Sequence, residues 1–355
     1  MRIVAFTKYD REAASTRQRF VQYTSALADA GMRLDVRPLL SNAYVRSLAT
    51  HEPVSRTEVA AAYWERLRDV LFRRDADVIW VHAELFPFLP SSVERLVFRS
   101  GAPVVYDWDD ATFVPYQHHR NPIVRGLLGR KFEPVLSRAA AVTCGNAYLR
   151  DYCSRFCDRS IVVPTVVDTD VYRPIEKAQG PLTLGWIGSP TTWGNVRPLL
   201  PTIERFCREH GARFRAVGAG KAAAADSFEG LELVDWTEAS EVAEVQGFDI
   251  GLMPLIDAPF ERGKSGYKLI QYMACGLPTV ASPVGVNTEI VTHGQTGFLA
   301  SDASEWANSL GRLAADADLR RSMGRGGRDR AIASYSLSSQ APRMVELFRE
   351  ISGRS

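Results

Sequence analysis

Between Phe248 and Leu299 the chain reads FDIGLMPLIDAPFERGKSGYKLIQYMACGLPTVASPVGVNTEIVTHGQTGFL, and its ERGKSG segment has the residue types that hold a diphosphate. Arg262, Lys264 and, a helical turn further on, Lys268 bring positive charge, while Gly263 and Gly266 let a ligand approach the backbone closely. An apolar strand, Ile250 to Met253, precedes the loop, and the pattern after it predicts a helix beginning near Ser265. A helix start presents unpaired N–H groups and the positive end of the helix dipole, both of which attract phosphate. A solvated βα loop with a few lysines would read the same way, and spacing alone does not separate the two.

A second group lies in VVYDWDDATF, where Asp107, Asp109 and Asp110 end an apolar strand. Alternate residues of a strand share a face, so Asp107 and Asp109 point to one side. Carboxylates there can orient a hydroxyl, bind a divalent ion, or end a strand in water. Ser15-Thr16-Arg17-Gln18-Arg19 opens a predicted helix, Arg17 to Ala30, capped by Ser15 or Thr16 and closed by Gly31. Arg17 and Arg19 at such a start suit an anionic group, and they equally suit plain solvent. His118 to Arg138 mixes Arg120, Arg125, Arg130, Lys131 and Arg138 with Ile123, Val124, Leu127, Leu128, Phe132 and Val135. A helix of this kind can lie on an anionic membrane surface or pack its apolar side on its own domain.

These groups need elements to position them. RIVAF, RLDVRPL, DVIWVH, PVVYDW and AAVTC are short apolar runs that each end in a polar loop, and a helix is expected from about Arg56 to Phe72. A second series starts at LTLGWIG and continues through FRAVGAG, LELVDW, FDIGLMPL and PTVAS. Alternating βα units imply parallel sheets covered on both faces, with ligands at the carboxyl ends of the strands. Tyr172 to Pro181 contains Pro174, Gly180 and Pro181 with little periodicity, and reads as the linker.

KLIQYMACGLPTVAS, followed by GVNTEIV and HGQTGFL, resembles the donor-binding core of the retaining glycosyltransferases of family 4 (glycosyl transferases group 1), which have the GT-B fold. VVPTVVDTDVYRP at the junction and LTLGWIGSP at the start of the second series extend the resemblance along most of the chain. It implies an α/β architecture of two Rossmann-like parallel-sheet domains facing across a cleft. Residues 1–175 would form the acceptor-side domain and 176–335 the nucleotide-sugar domain, with 336–355 a helix crossing back to the first. The implied reaction moves a sugar from a nucleotide-diphosphate sugar to a hydroxyl acceptor with retention of configuration, without a metal cofactor. The acceptor would be a carbohydrate or a lipid-linked group in polysaccharide, glycolipid or glycoconjugate synthesis.

The resemblance also distributes roles. Lys264, Lys268, Arg262, Ser265 and the amides around Gly266 would stabilise the leaving diphosphate, helped by Gly188 and Ser189. Gly218 would pass near the nucleotide, Trp236 would lie near its base, and Gln271 would bond the ribose hydroxyls. Arg17 would face an anionic part of the donor or of a lipid-diphosphate acceptor. Asp109 and Asp110 align with a His-Asp pair that many members place beside the donor sugar, Asp109 as the catalytic group. The chain departs from the family in two places. Members carry glutamates where this chain has Gly263 and Gln271, and they place an Arg and a Lys in the loop that here reads GSPTTWGN. A non-catalytic GT-B binding subunit and a GT-B nucleotide-sugar epimerase are the alternatives. The sugar, base and acceptor stay open, because their contacts come from loops between Leu39 and Arg56 and around Tyr116.

Composition fits such an enzyme. With 355 residues, 46% hydrophobic and 24% charged, the chain can bury two ordinary cores. A net charge of +2 gives no argument for nucleic acid, and no apolar run is long enough to span a bilayer. The start, MRIVAFTKYDREAASTR, lacks a secretory pattern, and the five cysteines are odd in number without zinc-like pairing. The expected place is the cytoplasm, at the inner membrane face if 118–138 makes peripheral contact.

Overall fold

The structure, a computed structural model, describes residues 1–50, 53–72, 75–177 and 180–353. Residues 178–179 of the expected linker and 51–52 of the 39–56 stretch lie outside the described residues, as do 354–355 of the expected last domain. The chain forms two compact units: Met1–Thr165 with Arg262–Ser265 and Leu337–Ser355, and Val166–Glu261 with Gly266–Ser336.

The first unit holds β1 (Arg2–Tyr9), β2 (Arg33–Leu40), β3 (Val78–His82), β4 (Val104–Trp108), β5 (Ala141–Cys144) and β6 (Ser160–Val162) in the order β2-β1-β3-β4-β5-β6. The second holds β7 (Thr183–Ile187), β8 (Arg213–Val217), β9 (Leu231–Val234), β10 (Ile250–Met253), β11 (Thr279–Ala281) and β12 (Gly297–Leu299) in the order β12-β11-β10-β7-β8-β9. Every ladder is parallel. Strands β3, β4, β5, β10 and β11 are buried along their whole length, as strands covered by helices on both faces must be. The connectivity reverses direction beside β1 in the first sheet and beside β7 in the second. The loops after β1 and β3, and those after β7 and β10, therefore flank the two switch points where ligands bind in open α/β sheets.

Local structure departs from sequence expectation in three places. The helix expected from Arg17 to Ala30 is broken into Ala14–Arg19, a 3-10 turn at Val21–Tyr23 and Thr24–Asp29. It starts earlier than expected, at Ala14, so the N-cap is Ala13, whose side chain has no acceptor, and Thr16 lies inside the first turn with Oγ1 donating to the Tyr9 carbonyl at 2.7 Å. Phe20, Tyr23 and Leu27 are nonetheless buried together, so the apolar pattern was satisfied by a kinked path. The basic stretch 118–138 is two short helices, Pro122–Leu128 and Glu133–Leu136, not one amphipathic helix. Lys131 between them is 2% exposed, with Nζ 2.7 Å from Glu84 and 3.3 Å from Glu94, so its charge serves the interior. The helix expected near Ser265 begins at Tyr267, after Gly266 at φ +67°. Gly266 cannot be replaced easily: a side chain would be strained at that φ and would meet the Ile290 side chain at 2.3 Å.

In the first unit Trp80 of β3 packs against Phe20 at 4.2 Å and against Phe348 of the helix Leu337–Ser352 at 5.2 Å. Beneath the ends of β4 and β5 lies a buried ion pair. Arg19 Nε and Nη2 donate to the two oxygens of Asp107 at 2.9 and 2.6 Å, and Nη1 donates to the Val163 carbonyl at 2.8 Å. The side chains are 2% and 0% exposed. Removing one partner strands a charge in the interior, which costs about 3–5 kcal/mol, whereas removing both restores an apolar contact. Arg19→Met should therefore lower the urea-unfolding free energy by about that amount, and Arg19→Met with Asp107→Leu should lose distinctly less. A double variant no more stable than the single one would refute this account.

Candidate active site

In the first unit the carboxyl ends of β3 and β4 bring four ionisable groups together. His82 ends β3, and Asp109 and Asp110 follow β4 directly. His82 Nε2 lies 3.0 Å from Asp109 Oδ1, with 7% and 15% of the two side chains exposed. Asp110 Oδ2 lies 3.0 Å from Lys264 Nζ, with 38% and 20% exposed. The loop that carries Lys264 is fixed to this unit by packing. Asn146 Nδ2 donates to the Lys264 carbonyl at 2.9 Å, while its Oδ1 caps the helix Ala147–Cys153. At Gly263 a side chain could not be accommodated, since its Cβ would stand 2.5 Å from the Ala111 Cβ.

The two aspartates differ in character. Burial acting alone would lower the His82 pKa and raise that of Asp109, but their contact overrides it. His82 is raised by Asp109, with Asp107 assisting and Lys8 opposing. Asp109 falls to about 2 through His82, Arg19 and Lys264. Asp110 shifts upward, because withdrawal from water and the neighbouring Asp109 outweigh the pull of Lys264 and His82. Nothing in the sequence marked His82 beyond its place at the end of a buried strand. The signal available was that position, since strand ends of parallel sheets carry function.

Of the other expected residues here, Arg17 Nη1 donates to the carbonyls of Arg11 and Glu12 at 3.3 and 2.9 Å, folding back on its own loop. Arg19, expected to meet an anion at a helix start, is inside with Asp107. The three carboxylates have different partners: Asp107 meets Arg19, Asp109 the His82 ring and Asp110 Lys264.

In the second unit the loops after β7, β8 and β9 meet. Gly188 N donates to the Val217 carbonyl and Gly218 N to that of Val234. A Cβ on Gly218 would touch Gly188 O at 2.3 Å and the Trp236 Cβ at 3.1 Å, so Gly188, Gly218 and Trp236 are neighbours. Ser189 is exposed and exchanges a hydrogen bond with Thr191 at 2.9 Å at the head of the 3-10 turn Pro190–Asn195. Lys268, in the first turn of Tyr267–Ala274, stands 5.6 Å over the Trp186 ring. Gln271 differs from expectation. It is 2% exposed, and its Nε2 donates to Tyr172 Oη at 3.1 Å and to Glu241 Oε1 at 3.0 Å, while Trp236 Nε1 donates to Glu241 Oε2 at 2.7 Å. Its N–H groups are committed inside the unit because a buried carboxylate beside them needs donors.

Solved structures share this two-unit fold over essentially the whole chain. Sucrose-phosphate synthase from Thermosynechococcus elongatus superposes with a TM-score of 0.72, at 16% identity and 100% coverage of both chains. HepE of Anabaena, solved with UDP-glucose, gives 0.73 at 14% identity, covering 98% of this chain and 99% of the other. The fold is thus of the GT-B class. Residues 181–316 match the family model for glycosyl transferases group 1, and the second unit carries a domain of that family. Among curated relatives, the alpha-maltose-1-phosphate synthase of Mycolicibacterium smegmatis is 26% identical over 241 residues, 58% of this chain and 60% of that protein. The D-inositol 3-phosphate glycosyltransferase of Corynebacterium jeikeium is 32% identical over 99 residues, 27% of this chain and 23% of that protein. The chain therefore spans less than two thirds of the length of these relatives.

The His82–Asp109 pair has a pH signature. A histidine raised in the folded state contributes stability that is full below its unfolded pKa of about 6.5 and is lost as pH rises through the folded value. A lowered carboxylate contributes above about 3.9 and loses this as pH falls towards the folded value. The pair should be worth most between about pH 4 and 6.5. The unfolding free-energy difference between the wild type and His82→Gln should peak there and shrink at higher pH. A difference that is flat from acid to alkaline pH would contradict the pairing.

Proposed function

We propose that this protein is a retaining glycosyltransferase that moves a sugar from a nucleotide-diphosphate sugar to a hydroxyl of a carbohydrate or lipid-linked acceptor, in polysaccharide, glycolipid or glycoconjugate synthesis. The observation that carries this reading is the second sheet's switch point, where the loops after β7 and β10 bear Gly188 and Ser189, and the Gly266 helix start with Lys268. Amides and ammonium groups in these loops are what a leaving diphosphate requires, because negative charge grows on its bridging oxygen as the glycosidic bond breaks. Lys264, packed with the first unit beside Asp110, is read as a diphosphate ligand on the strength of its charge. The donor is held by these groups, with no step assigned to a metal ion.

Asp109 is the group assigned to the reacting sugar. Contact with buried His82 keeps it anionic and fixed, which suits stabilisation of a cationic, oxocarbenium-like sugar or orientation of the attacking hydroxyl. His82 touches Asp109 and acts through it. A binding subunit without catalysis is favoured by two specific features, the committed amide of Gln271 and the absence of a basic side chain in the Gly188–Asn195 loop.

Thermal shift with UDP-, GDP-, ADP- and dTDP-sugars tests the reading. A true donor at 100 times its Kd should add about 2.7 kcal/mol of stability, and Lys268→Ala should weaken binding by about 1.5–3 kcal/mol. No shift with any of them would reject a nucleotide-sugar enzyme. With the donor found, Asp109→Asn should cut turnover at least about 100-fold while leaving donor affinity within a few-fold, the pattern of a group that acts in the transition state. Full turnover in that variant would remove Asp109 from the chemistry, and stabilisation by a donor without any turnover would favour the binding subunit.

A further inference from the structure

We propose that Asp110 is the resting partner of Lys264 and that the donor's diphosphate takes its place, so that binding exchanges one anion for another on a single ammonium group. This rests on the reading of Lys264 as a diphosphate ligand and adds what that lysine does before the donor arrives. The backbone that carries Lys264 is already located. Asn146, 1% exposed, donates to the Lys264 carbonyl, Gly263 lies too close to Ala111 for any side chain, and Ser265 Cβ is 3.4 Å from where a Gly145 Cβ would stand. The ammonium group is held differently, through a 3.0 Å contact with a carboxylate that is 38% exposed. A partly exposed ion pair of this type is worth little and can be replaced by a more highly charged anion.

The two neighbouring carboxylates are therefore unequal. Asp109 is bound to a buried histidine, whereas Asp110 is bound to a side chain with four rotatable carbons and access to water. Once Lys264 turns to a diphosphate, Asp110 stands beside Asp109 as one anion beside another. That repulsion is charged against donor binding, so Asp110 sets donor affinity downward while keeping Lys264 in place and shielded from other anions. Gly263 is part of the same device: a side chain there would push the loop off Ala111, the residue next to Asp110.

Calorimetric titration of the full-length protein with inorganic pyrophosphate, UDP, GDP, ADP and dTDP tests the exchange. Asp110→Asn keeps the shape and removes the charge, and should tighten pyrophosphate and the preferred nucleoside diphosphate about five-fold, the scale of a partly exposed ion pair. In the Lys264→Ala background the same change should have no effect. Unchanged or weaker binding by Asp110→Asn, or equal tightening with and without Lys264, would overturn the exchange. Should Asp110→Asn lack a cooperative melt, Asp110→Ser is read by the same criteria. If Lys264→Ala binds as the wild type does, or the wild type binds none of the five probes, the assignment of Lys264 to the diphosphate fails instead. If Lys264→Ala binds more weakly but Asp110→Asn does not tighten, that assignment stands and the exchange alone is lost.

Discussion

A carboxylate at the end of a buried parallel strand must have a cation or a set of donors within reach, and the first unit is organised around that requirement. β4 delivers Asp107 into the interior, where a carboxylate left without partners is costly. Arg19 answers it with two hydrogen bonds and ties the helix Ala14–Arg19 to the sheet at that point. The same helix is interrupted immediately afterwards, at Phe20, whose backbone departs from helical geometry. Turning Arg19 inward thus determines the path of the chain as well as the charge balance beneath the site.

The requirement recurs one strand over. Glu84 and Glu94 are each 1% exposed and share Lys131, and Glu94 also accepts hydrogen bonds from the backbone N–H groups of Leu85 and Phe86 at 2.9 and 2.8 Å. These contacts hold the loop after β3 in a shape that includes Ala83 at φ +53° and Phe88 at φ +59°. Left-handed backbone at residues with side chains persists where surrounding structure over-determines it. Tyr116 completes the frame by donating to Glu84 and accepting from Phe88 N, both at 2.9 Å. His82 lies immediately before this loop, so the orientation of its ring towards Asp109 is supported by a rigid neighbour.

The second unit solves a related problem with neutral groups. Tyr272 reaches from the helix Tyr267–Ala274 to accept from Ile187 N at 3.1 Å and donate to the Leu252 carbonyl at 3.3 Å, joining β7 to β10 at the switch point. Glu241 is the one buried carboxylate in its group and is met by Tyr172, Gln271 and Trp236. Satisfying that acid takes the N–H groups of Gln271, which explains why this amide turns inward. Gly263 and Gln271, where the resemblance leads one to expect glutamates, thus have local physical reasons: one permits close approach of a loop, the other completes a buried network.

The sequence by itself determined the architecture. Short apolar runs ending in polar loops, with β-branched residues and no continuous amphipathic stripe, specify strands of a parallel sheet, because burial on both faces leaves no room for alternation. Ten of the strands follow from runs such as DVIWVH and PVVYDW, and the glycines, lysines and aspartates of the site stand out because their chemistry is local and legible in one dimension. Partnership was not legible. That Asp107 belongs to Arg19, 88 residues away, and Asp110 to Lys264, 154 residues away, depends on which strand neighbours which and on a four-residue segment packing with a distant part of the chain. His82 was silent for the same reason, since a histidine acquires a role only when topology places a carboxylate 3.0 Å from its ring. Charges interact through space with a strength set by burial, and burial is a property of the folded chain.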